Sequence, residues 1–249
     1  MAFGVPELDR LFADGSLRLA SLHEVVGMQS RDSGAVSGFV MALLKRIANL
    51  RPGPVLWVAA PDATREAGVV HGPGLVRFGL DAQRVMAVFP HRLEEALWVL
   101  EEGASCPALA AVWGDIQGRH RALDLTATRR LLLRAQASGV PVLLARHGTV
   151  DEPTAALTRF CIAPKPSLPP GLLAHGPHDG LGRAGWQVDV TRNRDGRPGQ
   201  ADVEWDHATG QFVAPARSIA LVSRPAGGPD PAAAERRRPA HAWPQGTGR

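Results

Sequence analysis

Leu22-His23-Glu24-Val25-Val26-Gly27, then the turn Met28 to Gly34, then Ala35-Val36 and an apolar-periodic run to Leu50: this stretch decides the fold. The first six residues read as a strand, the Gly/Ser/Asp-rich segment as a loop, and Ala35 to Leu50 as a helix. Strand, glycine loop and helix in that order are the setting of a phosphate-binding loop. There, backbone N–H groups and the helix N-terminus hold phosphates, while a Lys and a Ser/Thr neutralise the γ-phosphate and hold Mg²⁺. Here Ser33-Gly34 is followed by Ala35 and Val36, which supply neither a charge nor a metal ligand. Six residues separate Gly27 from Gly34, where the motif has four. Each lost charge-assisted contact is worth roughly 1.5–3 kcal/mol. The loop Gly27, Ser33, Gly34, Ala35, Val36 is therefore expected to be degenerate: weak nucleotide binding, negligible hydrolysis, no catalytic residues, no metal and no cofactor.

Outward from that loop, strand and helix alternate. Pro54 to Ala60 is a continuous apolar strand; Gly74 to Gly79 reads as a short helix and Arg84 to Phe89 as a strand. Leu93, Ala96, Leu97 and Leu100 recur at helical spacing among glutamates. Leu109 to Trp113 is a strand, Leu123 to Ser138 a helix stopped by Gly139, and Pro141 to Ala145 the next strand. Apolar strands alternating with helices predict an α/β domain with a mainly parallel sheet covered on both faces. From Pro164 the chain turns Pro/Gly-rich and reads as a long loop to Gly182. Trp186 to Val190 and Ala201 to Trp205 then alternate around Asp195-Gly196 and Pro198-Gly199, an antiparallel hairpin, and Gln211 to Val213 adds a last short strand. The expected organisation is a domain over 1–222 and a disordered Arg/Pro-rich tail over 223–249.

The 249 residues are 45% hydrophobic and 21% charged, ordinary for a globular chain. Of the net +4, the tail supplies most: five Arg, including Arg236, Arg237 and Arg238, against Asp230 and Glu235. That arm reads as a solvated tail or as a contact for protein or nucleic acid. The dominance of Arg over Lys fits a GC-rich genome as well as it fits a DNA binder. Cys106 and Cys161 read as reduced, buried thiols. Met1 to Gly15 lacks the regions of a signal peptide and no apolar run is long enough for a membrane span, so the expected compartment is the cytoplasm with no membrane contact. His175, His178 and Asp179 lie in the Pro/Gly loop with no nearby Cys, a surface loop rather than a zinc site. His23 reads as a hydrogen-bonded core residue.

In this order, these residues resemble the RecA superfamily. Gly4 to Leu11 is similar to its N-terminal segment, Leu22 to Gly27 to the strand before its phosphate loop, and Leu109 to Asp115 to its Walker B strand. Thr191 to Gly199 is similar to the hairpin of RecA-like motors. Within that superfamily the chain looks like the ImuA type, on Ala96-Leu97-Trp98, Leu123 to Leu131, Gly182-Arg183 with Trp186, and Glu204 to Thr209. The resemblance implies a damage-inducible, non-catalytic adaptor in SOS-induced error-prone translesion DNA synthesis. Its implied partners are ImuB and a C-family DNA polymerase, with RecA as a further partner and only indirect or weak DNA contact. The strand that would end in a catalytic Glu ends in Ala59-Ala60-Pro61, and Asp115 stands as a vestigial Walker B carboxylate at the end of its strand. Arg192 and Arg194 occupy the hairpin positions that, in motor relatives, reach a neighbouring subunit's γ-phosphate; the plainer reading makes them solvated turn residues. The alternative function is a SulA-like division inhibitor acting on FtsZ.

Overall fold

The apolar run Leu22–Gly27 forms strand β1, and all six of its residues are buried. The computed structural model describes residues 1–27, 29–148, 152–166 and 182–215. The expected boundary at 222/223, Arg236, Arg237, Arg238 and the His175–His178–Asp179 cluster lie outside the described residues. Along the chain follow helix α1 (Pro6–Asp9), β1, α2 (Ser33–Leu50), β2 (Val55–Ala59), α3 (Pro61–Ala67), α4 (Gly72–Arg77), β3 (Val85–Val88) and α5 (Leu93–Ala104). Next come β4 (Ala111–Gln117), α6 (Leu125–Ser138), β5 (Val142–His147), β6 (Thr158–Lys165), β7 (Ala184–Asn193), β8 (Gly199–Asp206) and β9 (Gln211–Val213).

One sheet holds the strands in the order β3-β2-β4-β5-β1-β6-β7-β8-β9. Pairing is parallel from β3 to β6 and antiparallel from β6 to β9. This is the α/β plan expected from the alternation, with the glycine loop leaving the carboxyl end of a central strand. Helix α2 is apolar on nearly every side because it is enclosed: Val36, Phe39, Val40, Leu43, Leu44 and Ile47 are all buried. On the opposite face α5 and α6 each bury one stripe. Asp124 starts α6 by accepting the Ala127 N–H at 2.8 Å, and Gly139, at φ 78°, ends it. Phe3, Phe12, Phe39, Phe160, Phe212 and Trp186 meet at centroid distances of 5.4–6.2 Å, joining the N-terminal segment to α2 and the hairpin.

Three expectations need correction. β4 does not stop near Trp113 but runs to Gln117, so Asp115 lies inside the strand, paired in register with Ala59 and Ala145. Cys106 is exposed and Cys161 half-buried. Cys106 falls in the turn after α5, where the helix has ended and no apolar face covers it, while Cys161 points to the side of β6 away from α2. Strand β6 was absent from the sequence reading, as was α3. Among the described residues no helix separates β5 from β6, so the strand–helix alternation gives no cue to β6.

His23 lies fully buried in β1, its Nε2–H donating to the Arg18 carbonyl at 2.8 Å. Burial pushes its pKa down to about 4, the Arg18 carbonyl offsetting part of this. A folded pKa below the ordinary value near 6.5 means the unfolded chain takes up the proton first as pH falls. Stability is thus full above pH 6.5 and declines toward pH 4, by about 2 kcal/mol at pH 5. Urea midpoints measured between pH 7 and 4 should follow this slope, and His23→Leu should flatten it; an equal slope in both proteins would refute the assignment.

Candidate functional site

The loop that follows β1 is filled by its own side chains. The Asp32 carboxylate turns back and accepts the Gln29 N–H at 3.0 Å, taking a backbone donor of the kind a phosphate would use. Val36 closes over the strand end: a Cβ added to Gly27 would lie 2.9 Å from Val36 Cγ2 and 3.2 Å from Asp32 Cβ. Glycine is needed at 27 for that close packing, not for contact with a ligand. Ser33 and Gly34 open α2, and Ala35 gives its carbonyl to the Trp186 indole N–H at 3.0 Å. Beside them a cavity of about 400 Å³ is lined by Gly34, Gly38, Phe78, Trp186 and Arg183. The neighbouring cations are committed: Arg183 to Asp206 at 2.9 Å, and Lys165 to Asp202.

Asp115 is equally committed. The His147 Nε2–H donates to its Oδ1 at 2.5 Å, and the two side chains are 8% and 0% exposed. Both sit on the α2 side of the sheet, where Trp113 and Ala145 two residues earlier join the core around α2. A carboxylate bonded in this way does not face an open metal position. Among the described residues no group of three His, Cys, Asp or Glu side chains is placed to hold a metal ion. No helix there is long and apolar enough to cross a membrane.

The structure brings Gly27, Ser33, Gly34, Ala35, Val36 and Asp115 to one end of the sheet but sets Arg192 and Arg194 apart. β7 is two strands from β1, roughly 10 Å sideways. Arg192 pairs in register with Arg159, itself opposite Glu24 of β1, so these side chains occupy the face away from α2. There Glu24, 0% exposed, accepts from Arg159 Nε at 2.7 Å and faces Arg146 at 4.0 Å. Glu152 adds a second carboxylate 3.6 Å from Arg146. Burial, then the Arg194 and Arg159 guanidiniums, lowers the Arg192 pKa from its ordinary value, with Glu24 opposing. Arg194 is fixed through its backbone N–H on Leu157 O at 3.0 Å and its guanidinium on Thr154 O at 3.4 Å. The hairpin is held against the N-terminal segment at Gly196, where an added Cβ would lie 2.2 Å from Leu11 O. Arg192 is therefore half-buried beside the Arg159 guanidinium, while Arg194 next to it is exposed.

Asp32, His147 and the Glu24–Arg146–Arg159 set were missed by the sequence reading. Glu24 carried a usable signal, since a carboxylate inside a buried apolar strand requires a cationic partner.

These features define a mainly parallel α/β protein on a phosphate-loop plan whose loop lacks the side chains that hold a triphosphate and Mg²⁺. No family profile matches the chain. Protein ImuA of Caulobacter vibrioides, in strains NA1000 / CB15N and ATCC 19089 / CIP 103742 / CB 15, is 34% identical to it over 212 residues, 80% of this chain and 80% of that protein. The chain belongs to the ImuA family.

Proposed function

We propose that this protein is a non-catalytic adaptor of SOS-induced, error-prone translesion synthesis, built on a RecA-like domain and acting in the cytoplasm. Membership of the ImuA family supports the pathway. The observation that carries the non-catalytic reading is the filled loop: Ala35 and Val36 in place of the phosphate and metal ligands, with the Asp32 carboxylate on the Gln29 N–H. A carboxylate there repels a polyphosphate as well as occupying its donor.

The adaptor links ImuB and a C-family polymerase, with RecA as a further contact. Arg192 and Arg194 present one contact surface, and residues 223–249, with Arg236, Arg237 and Arg238, supply a second. Contact with DNA is indirect. The family match favours this reading over the FtsZ-directed alternative.

The test combines binding and genetics. Purified protein is expected to show no saturable ATP binding below about 1 mM, a limit of roughly 4 kcal/mol. Deleting the gene should abolish damage-induced mutagenesis. Arg194→Glu, at an exposed position, should leave the circular dichroism spectrum intact yet lose capture of ImuB, the polymerase or RecA. ATP turnover by the wild-type chain, or FtsZ as the captured protein, would overturn the reading.

A further inference from the structure

The remaining feature without a role is the outer edge of β3. This strand is hydrogen-bonded to β2 on one side and, among the described residues, to no strand on the other. An open edge offers a row of unpaired N–H and C=O groups, which proteins ordinarily guard with charge, proline or a bulge. Val85-Met86-Ala87-Val88 has none of these; its brevity is its one protection. Ala87 is exposed, and so are Met86 and, just past the strand, Phe89, at 46% and 48%. The Arg84 side chain, which could have guarded the edge, is turned inward onto the Gly53 carbonyl at 2.6 Å.

We propose that a second copy of this chain pairs with the β3 edge, antiparallel and two-fold, to make a homodimer with one continuous sheet. The sequence of β3 is complementary to itself. With Met86 opposite Ala87 of the second copy, Val85 faces Val88, and no charged residue opposes another within the strand. Apolar and β-branched cross-strand pairs of this kind stabilise sheets. The two ends also match in charge. Asp81 lies before the strand and Arg92, 73% exposed and paired with Glu95 at 3.0 Å, after it. The two-fold sets the Asp81 end of each copy beside the Arg92 end of the other, where Arg92 can bridge both carboxylates. A two-fold interface uses one patch twice and closes at two copies.

The pairing leaves the rest of the adaptor accessible. β7, which carries Arg192, lies six strands from β3, and the phosphate loop leaves β1, four strands away. A dimer would then offer two copies of each partner surface, and bivalent engagement raises apparent affinity without new contacts. A four-residue edge with its flanks buries less than the ~800 Å² per partner of a standard interface, so dissociation in the micromolar range is expected.

Sedimentation and light scattering on the full chain, from about 1 to 200 µM, test this. The mass should rise with concentration from 26.5 kDa toward twice that value and stop there. Ala87→Lys and Met86→Lys, both at exposed positions, should each raise the dimer dissociation constant more than tenfold with unchanged circular dichroism. Ala87→Ser should leave it as it was. The proposal is overturned if the mass stays at that of one chain, if both Lys variants dimerise normally, or if association continues past two copies. A monomer whose β3 edge is protected from hydrogen exchange only by a different protein would overturn it too.

Discussion

Glu24→Ala is expected to destabilise the domain by about 3–5 kcal/mol, the usual loss when one member of a buried ion pair is removed. The reason lies in what remains. Glu24 is the one carboxylate that Arg146 and Arg159 share, and Arg146 is 2% exposed. Without it, Arg146 keeps only Glu152, at 3.6 Å, and Arg159 turns its charge on Arg192 and Arg194. At roughly 2–4 °C per kcal/mol for a domain of this size, the melting temperature should fall by about 10 °C. Replacing the whole set, Glu24→Leu with Arg146→Met and Arg159→Leu, should recover most of the loss, because a buried ion pair exchanged for apolar side chains is often neutral or better. A Glu24→Ala loss below about 1 kcal/mol would mean that the arginines find other partners and that the cluster has no keystone.

The cluster also explains why part of this protein was legible from its sequence and part was not. The parallel core was readable because β1, β2, β4 and β5 are buried on both faces and each carries a continuous apolar run, interrupted only by a few buried polar residues such as His23, Glu24 and Asp115, and because α5 and α6 keep one stripe each. Hairpin β7–β8 was readable from alternation around a glycine turn. β6 was not, although Phe160 and Ile162 are buried and Arg159 and Cys161 half-exposed, because among the described residues no helix separates it from β5. That Ala35 and Val36 supply neither charge nor metal ligand could be read from the sequence alone. The hydrogen bond from the Gln29 N–H to Asp32 could not, since it depends on how the turn closes. Arg146 and Arg159 are far from Glu24 in the chain, and only the register of β5 and β6 against β1 brings them together.

The sequence raised a role for Asp115 alone; the structure pairs it with His147, and a double-mutant cycle distinguishes the two readings. If Asp115 is structural, Asp115→Ala and His147→Ala should each cost about 3 kcal/mol or more, since each strands a buried polar partner. The double variant should cost far less than the sum, with a coupling energy of roughly 2 kcal/mol, because the second truncation removes a group already left unpaired. Asp115→Asn, which retains an acceptor for the His147 Nε2–H, should recover much of the stability. All four proteins should behave alike toward Mg²⁺ in thermal melts. A metal-binding carboxylate predicts the reverse: small, additive losses, with Mg²⁺ stabilising the wild type and not Asp115→Asn. The 2.5 Å bond inside β4 and β5 favours the first outcome. In that case Asp115 is retained for the fold, its carboxylate bonded to a histidine of the neighbouring strand.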